Sequence, residues 1–136
     1  MPYNISYNEE HKIIESVFTG KVNIEDLIDL MKSETNLSLQ YDCFLSLIDF
    51  TRAKIDIDTM TIYNIPNLIE QIARPLGENK HKTKWAMLAN KTDVNLAFIE
   101  IVTQHRGLKL QLFDSTEIAK LWLFGKTNRT APGEIT

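Results

Sequence analysis

A three-part unit occurs three times along this chain: an apolar run of strand character, a polar junction, and an amphipathic helix. The runs are residues 44–50, 84–89 and 109–113, and the junctions are 51–58, 90–93 and 114–116. Each unit reads as a βα element, and their succession predicts an α/β fold with a largely parallel sheet. The run 44–50 is almost continuously apolar, as a strand covered on both faces requires, so it is expected at the sheet's centre. In sheets of this kind ligands gather beyond the carboxyl ends of the strands. The polar side chains at those ends are therefore the candidate ligand-binding residues: Asp49, Thr51 and Arg52, then Asn90 and Asp93, then Asp114 and Ser115.

At 136 residues the chain is long enough for one domain with its own core. That domain is expected over residues 1–124, followed by a polar tail, 125–136, that contains Pro132 and Gly133. A formal charge of -3 and the absence of an extended basic stripe argue against nucleic acid as a partner; Lys80, Lys82 and Lys84 around His81 make only a short cluster. Cys43 is the sole cysteine, which excludes an internal disulfide and a cysteine-based zinc cluster, and its place at the start of an apolar run predicts packing. No apolar run reaches membrane-span length and the opening residues lack a secretory pattern, so the expectation is a cytoplasmic protein without integral membrane association.

Residues 3–7 and 12–19 predict an antiparallel hairpin about the turn Asn8-Glu9-Glu10-His11, with the second strand on the outside and ended by Gly20. Asn23 is placed to cap a helix bearing Ile24, Leu27, Ile28 and Met31, and residues 36–42 read as a connecting loop that tucks Leu37, Leu39 and Tyr41 down. The next helix is expected over 58–73, kinked rather than broken at Pro66, with Ile62, Ile65 and Ile69 inward. Thr92 or Asp93 should cap a third helix with Val94, Ala97, Phe98, Ile101 and Val102 as its buried stripe. Asp114, with Glu117 three residues on, should open a last helix that buries Ile118, Leu121 and Trp122.

Gly20-Lys21-Val22 leading into Glu25-Asp26-Leu27, the strand ending Leu47-Ile48-Asp49-Phe50, and the closing Phe113-Asp114-Ser115 with Leu121-Trp122-Leu123 resemble the SpoIIAA-like domains, related to the STAS domains of anti-sigma-factor antagonists. The resemblance covers about residues 3–124. It implies a right-handed β-α superhelix acting as a binding or regulatory module, in some relatives through a phosphorylated serine and in others through apolar ligands. The regulated relatives carry an Asp-Ser pair before the second helix. The equivalent stretch here is Ile55-Asp56-Ile57-Asp58-Thr59, so Ile57 stands in the serine's place and Thr59 is the remaining phosphorylation candidate, with Asp56 and Asp58 opposing a phosphate.

Chemistry beyond that is sparse. His11, His81 and His105 show no ligand spacing, so no metal site is expected, and no cofactor motif is present; Gly125-Lys126-Thr127 lacks the upstream glycine of a phosphate loop. Asp49 and Arg52 suggest a pair that orders its loop. The carboxylates are dispersed, with no histidine or cysteine beside them to form a catalytic pair. The sequence thus points to a non-enzymatic interaction or regulatory module that docks on a protein partner or a second copy through an exposed strand or an apolar helix face. The alternative is a carrier or sensor of a small apolar ligand held between the sheet and the Pro66 helix.

Overall fold

The computed structural model describes residues 2–90 and 92–125; the expected tail otherwise lies outside them. The chain forms β1 (Tyr3–Asn8), β2 (Ile13–Val22), α1 (Ile24–Tyr41), β3 (Leu45–Ile55), α2 (Thr59–Tyr63), α3 (Ile65–Ile72), a 3-10 stretch over Arg74–Lys82, β4 (Lys84–Leu88), α4 (Val94–His105), β5 (Leu110–Phe113) and α5 (Thr116–Leu123). The strands lie in chain order, β1-β2-β3-β4-β5. Only β1 and β2 are antiparallel; β2 to β5 run parallel. This is the expected α/β domain, with β3 at the centre.

The sheet separates two apolar layers. On one face Phe18, Ile48, Phe50, Trp85, Met87, Leu110 and Leu112 meet Leu27 and Leu30 of α1, Ile65 and Ile69 of α3, and Leu96 and Ile99 of α4. On the other, Ile13, Leu47, Ala86, Leu88 and Phe113 meet Ala119 and Leu123 of α5. Burial on both faces is what permits the continuous apolar runs of β3 and β4. Phe18 is fully buried, edge-to-face with Tyr3 at 5.4 Å between ring centres and stacked on Phe50 at 5.3 Å. The Tyr3 hydroxyl donates to Asp29 and so ties β1 to α1.

Several local expectations are corrected. The second strand is interior rather than outer: Ile13, Ile14, Ser16 and Phe18 are all buried, and β1 is the edge. Gly20 does not end it. With φ of 76° and a register shift between Val17 and Thr19, the strand bends and runs on to Val22. There β3 follows it, pairing Thr19 with Arg52 and Val22 with Ile55 beyond the last β3–β4 pair, Asp49 with Leu88. Most of the supposed junction 51–58 is therefore strand.

Residues 36–41 are helix, not loop, and Leu39 and Tyr41 are exposed. The buried stripe of α1 continues in phase through Glu34, Thr35 and Ser38, so its final turns are anchored by polar residues that a search for apolar spacing passes over. Asp42, left-handed at φ 52°, closes the helix with its N–H on the Ser38 carbonyl. A capping box between Asn23 and Asp26 opens it.

The Pro66 helix is divided rather than kinked. Asn64, at φ -89° and ψ -5°, separates α2 from α3, and Pro66 takes the first turn of α3, where a missing N–H costs nothing. The third helix forms as expected, capped by Asp93, but presents Leu96, Ile99, Val102 and Thr103 inward, leaving Val94 and Ile101 exposed. Seven of its twelve residues are apolar and they fall on more than one side, so more than one stripe has helical spacing. What selects the face is polar: Glu100 accepts the Leu112 N–H at 2.6 Å and the Gln104 amide donates to the Leu110 carbonyl at 2.9 Å. Both must face β5. In α5, Ser115 rather than Asp114 is the cap, and Ala119 and Leu123 are buried while Ile118 is exposed. Trp122 is half-buried against Phe113, held by Lys84, whose ammonium donates to the Trp122 carbonyl at 2.9 Å and lies 5.2 Å from the indole centre.

Candidate functional site

The parallel register sets Asp49 beside Leu88 and Leu88 beside Phe113, so the three polar junctions lie toward the carboxyl ends of the parallel strands. The polar side chains of each bond locally. One Asp49 carboxylate oxygen accepts the Thr51 N–H at 2.8 Å and the Thr51 hydroxyl at 2.6 Å. Asn90 repeats this geometry on Thr92, at 2.9 and 2.7 Å. Asp93 accepts the Leu96 N–H at 2.9 Å and Ser115 the Ile118 N–H at 3.4 Å, both as helix caps. Asp114 is exposed. Among the described residues no hydrogen bond links one junction to another. Arg52 is exposed and does not pair with Asp49; the one ion pair among the described residues joins Arg106 of α4 to Glu70 of α3 at 2.7 Å. Thr59 is exposed at the start of α2. Beside it the Asp58 carboxyl accepts the Thr61 N–H, which lowers its pKa and keeps it ionised.

The chemically unusual group lies elsewhere, under α1. Glu34 is 3% exposed, and neither carboxyl oxygen has a hydrogen-bond partner among the described residues. It lines a partly enclosed cavity of about 40 Å³ whose other walls include Leu30, Ile48, Ile65, Ile69 and Trp85. A smaller one of about 10 Å³ adjoins through Met31, Glu34, Ile69 and Trp85. Every other residue lining either cavity is uncharged. Burial is the dominant influence on Glu34 and pushes its pKa from 4.5 up to about 8. Ser46 and Trp85 offset part of this by favouring the charged form, without reaching hydrogen-bond geometry. Ser16 is a second orphan, a buried hydroxyl with no partner among the described residues, on the same face of the sheet as Ser46 one strand away.

This cavity occupies the place foreseen for an apolar ligand, between the sheet and the Pro66 helix. Ile65 and Ile69 line it, whereas Ile62 is buried in the main core outside its walls. Sequence reasoning passed over Glu34 altogether. The signal was there: it falls four residues after Leu30 and three after Met31, in phase with the buried stripe of α1, where a carboxylate does not belong.

A third feature is a groove on the outer side of α2, α3 and α4, lined by Met60, Tyr63, Pro66, Phe98 and Ile101. Met60 is 77%, Tyr63 68% and Ile101 60% exposed. Among the described residues no cluster of histidine, cysteine and carboxylate side chains could hold a metal ion, and no helix is long and apolar enough to cross a membrane.

No protein-family model matches the sequence, and no match was found among curated proteins. Solved structures do match. An anti-sigma factor antagonist from Mycobacterium paratuberculosis superposes with a TM-score of 0.55 at 9% identity, covering 90% of this chain and 94% of that one. The anti-sigma factor antagonist SpoIIAA in its unphosphorylated form gives 0.48 at 9% identity, over 85% and 90% of the two chains. An uncharacterised protein with a SpoIIAA-like fold from Shewanella loihica gives 0.48 at 17% identity, over 89% and 91%. At such identities the likeness is one of fold alone: with its strands in chain order and all but the first pair parallel, this chain has the α/β fold of an anti-sigma factor antagonist.

Proposed function

We propose that the protein is a non-enzymatic interaction module that docks on another protein through the α2–α4 face. One observation carries this reading: Met60, Tyr63 and Ile101 line one groove with their large apolar side chains mostly in water, and contiguous exposure of that kind marks a contact surface. Strand addition at β5 is a poorer route, since Glu100 and Gln104 already hold the Leu112 N–H and the Leu110 carbonyl at its edge. A second copy of the chain is the first partner to test. Sedimentation of the wild type should show a dimer at micromolar concentration and Ile101→Glu a monomer; a monomeric wild type, or a dimer untouched by Ile101→Glu, would refute self-association through this face.

The module works without a phosphoserine switch. Ile57, in the serine's place, packs against the main core, and a phosphate on Thr59 would face Asp58 and Asp56. Thr59 should remain unmodified by mass spectrometry after incubation with kinases from the native host. A second reading, a carrier or sensor of a small apolar ligand, is favoured by the cavity beneath α3.

A further inference from the structure

Three observations converge on the cavity under α1. It is apolar except for Glu34. The Glu34 carboxyl there is deeply buried, with both oxygens unpartnered among the described residues. The space is small: about 40 Å³ exceeds the ~10–15 Å³ that one water needs but falls far short of the roughly 300 Å³ at which drug-sized ligand pockets begin.

An orphaned buried carboxyl calls for a donor. Water would satisfy it, yet the walls offer water few further partners, since apolar side chains dominate them. A ligand that brings hydrogen-bond donors at one end and hydrocarbon at the other matches both parts of the lining. A primary ammonium carries three donors and its short chain replaces void with contact.

We propose that the Glu34 cavity is a binding site for a short primary alkylamine, its ammonium on the Glu34 carboxylate and its chain among Ile48, Ile65, Ile69 and Trp85. This rests on the apolar-ligand reading and specifies it. Binding forms a buried ion pair, so a Glu34 that is protonated beforehand must release its proton to solvent as the ammonium enters; no other bond is made or broken. The groups packed around it from β3, β4, α1 and α3 are neutral, and the Tyr3 phenol of β1, whose own pKa is raised by burial first and by Asp29 and Glu34 after it, stays neutral in this range. Glu34 is therefore the proton source. Each methylene that enters should tighten binding about four-fold, until the chain outgrows the cavity.

The test is calorimetry of the wild type with methylamine, n-propylamine and n-propanol, in two buffers of different ionisation enthalpy. At pH 6.5 n-propylamine should bind saturably and release close to one proton, at pH 9 close to none, and n-propanol should bind at least ten-fold more weakly. Glu34→Gln, checked for folding by circular dichroism, should lose amine binding. Propanol binding as tightly as propylamine, or propylamine binding with no proton released at pH 6.5, overturns amine recognition while leaving an apolar-ligand carrier standing. No binding by any of the three overturns both. Should Glu34→Gln fail to fold, the wild-type amine and alcohol comparison with its proton count decides the matter.

Discussion

Replacing Glu34 by Gln should stabilise the protein at neutral pH, and increasingly so as pH rises toward 8. The Glu34 carboxyl loses its proton near 4.5 in an unfolded chain and only at about 8 in the folded one, because burial disfavours the charged form. Between those values the folded state holds a proton that the unfolded state has released, so stability falls as pH rises, at about 1.4 kcal/mol per pH unit. Below 4.5 there is no such loss; by pH 7 it amounts to about 3 kcal/mol, and above 8 it levels off. Glutamine keeps the shape and does not titrate. Its extra buried N–H costs about 1–2 kcal/mol at every pH, so the variant should be slightly less stable than wild type at pH 4.5 and about 1–2 kcal/mol more stable at pH 7. Urea denaturation of both proteins from pH 4.5 to 8.5 reads the difference directly, and the other carboxylates, common to both, cancel. Parallel curves across that range would refute the burial of an unpartnered Glu34.

Other substitutions test separate parts of the structure. Phe18→Ala should cost about 3–5 kcal/mol in urea melts, since it empties a fully buried site between Tyr3 and Phe50; a loss under about 1 kcal/mol would place β2 wrongly. Asp93→Ala, which removes the cap of α4, should cost about 1 kcal/mol by the same measurement, and Asp93→Asn much less. Glu100→Ala should cost about 1–2 kcal/mol by stranding the Leu112 N–H and should speed exchange of that amide hydrogen. Arg52→Ala, at an exposed position with no ion pair among the described residues, should leave stability within about 0.5 kcal/mol.

The architecture was legible because a strand covered on both faces has to be apolar at consecutive positions, and the run 44–50 and those after it have no other easy explanation. What stayed hidden has a common physical cause. A helix face is chosen by what it meets, and α4, apolar on several sides, was turned toward β5 by Glu100 and Gln104 reaching backbone groups that no helical periodicity reveals. The last turns of α1 were hidden because Thr35 and Ser38 hold core positions, and Glu34 for the same reason. At the junctions the residue types were read correctly as hydrogen-bonding groups. That Asp49 and Asn90 would each close a turn on a threonine two residues ahead is a local preference of such side chains, set by backbone geometry rather than by apolar spacing.

The closed edge at β5 also bears on how the molecule behaves when crowded. A sheet open at both sides can add copies without end, each new copy offering the edge that the next one needs. Here α4 answers for one side, and the other is β1, the antiparallel arm of the hairpin. Two such chains joined edge to edge through β1 leave no free sheet edge for a third, so growth by strand pairing alone stops at the pair.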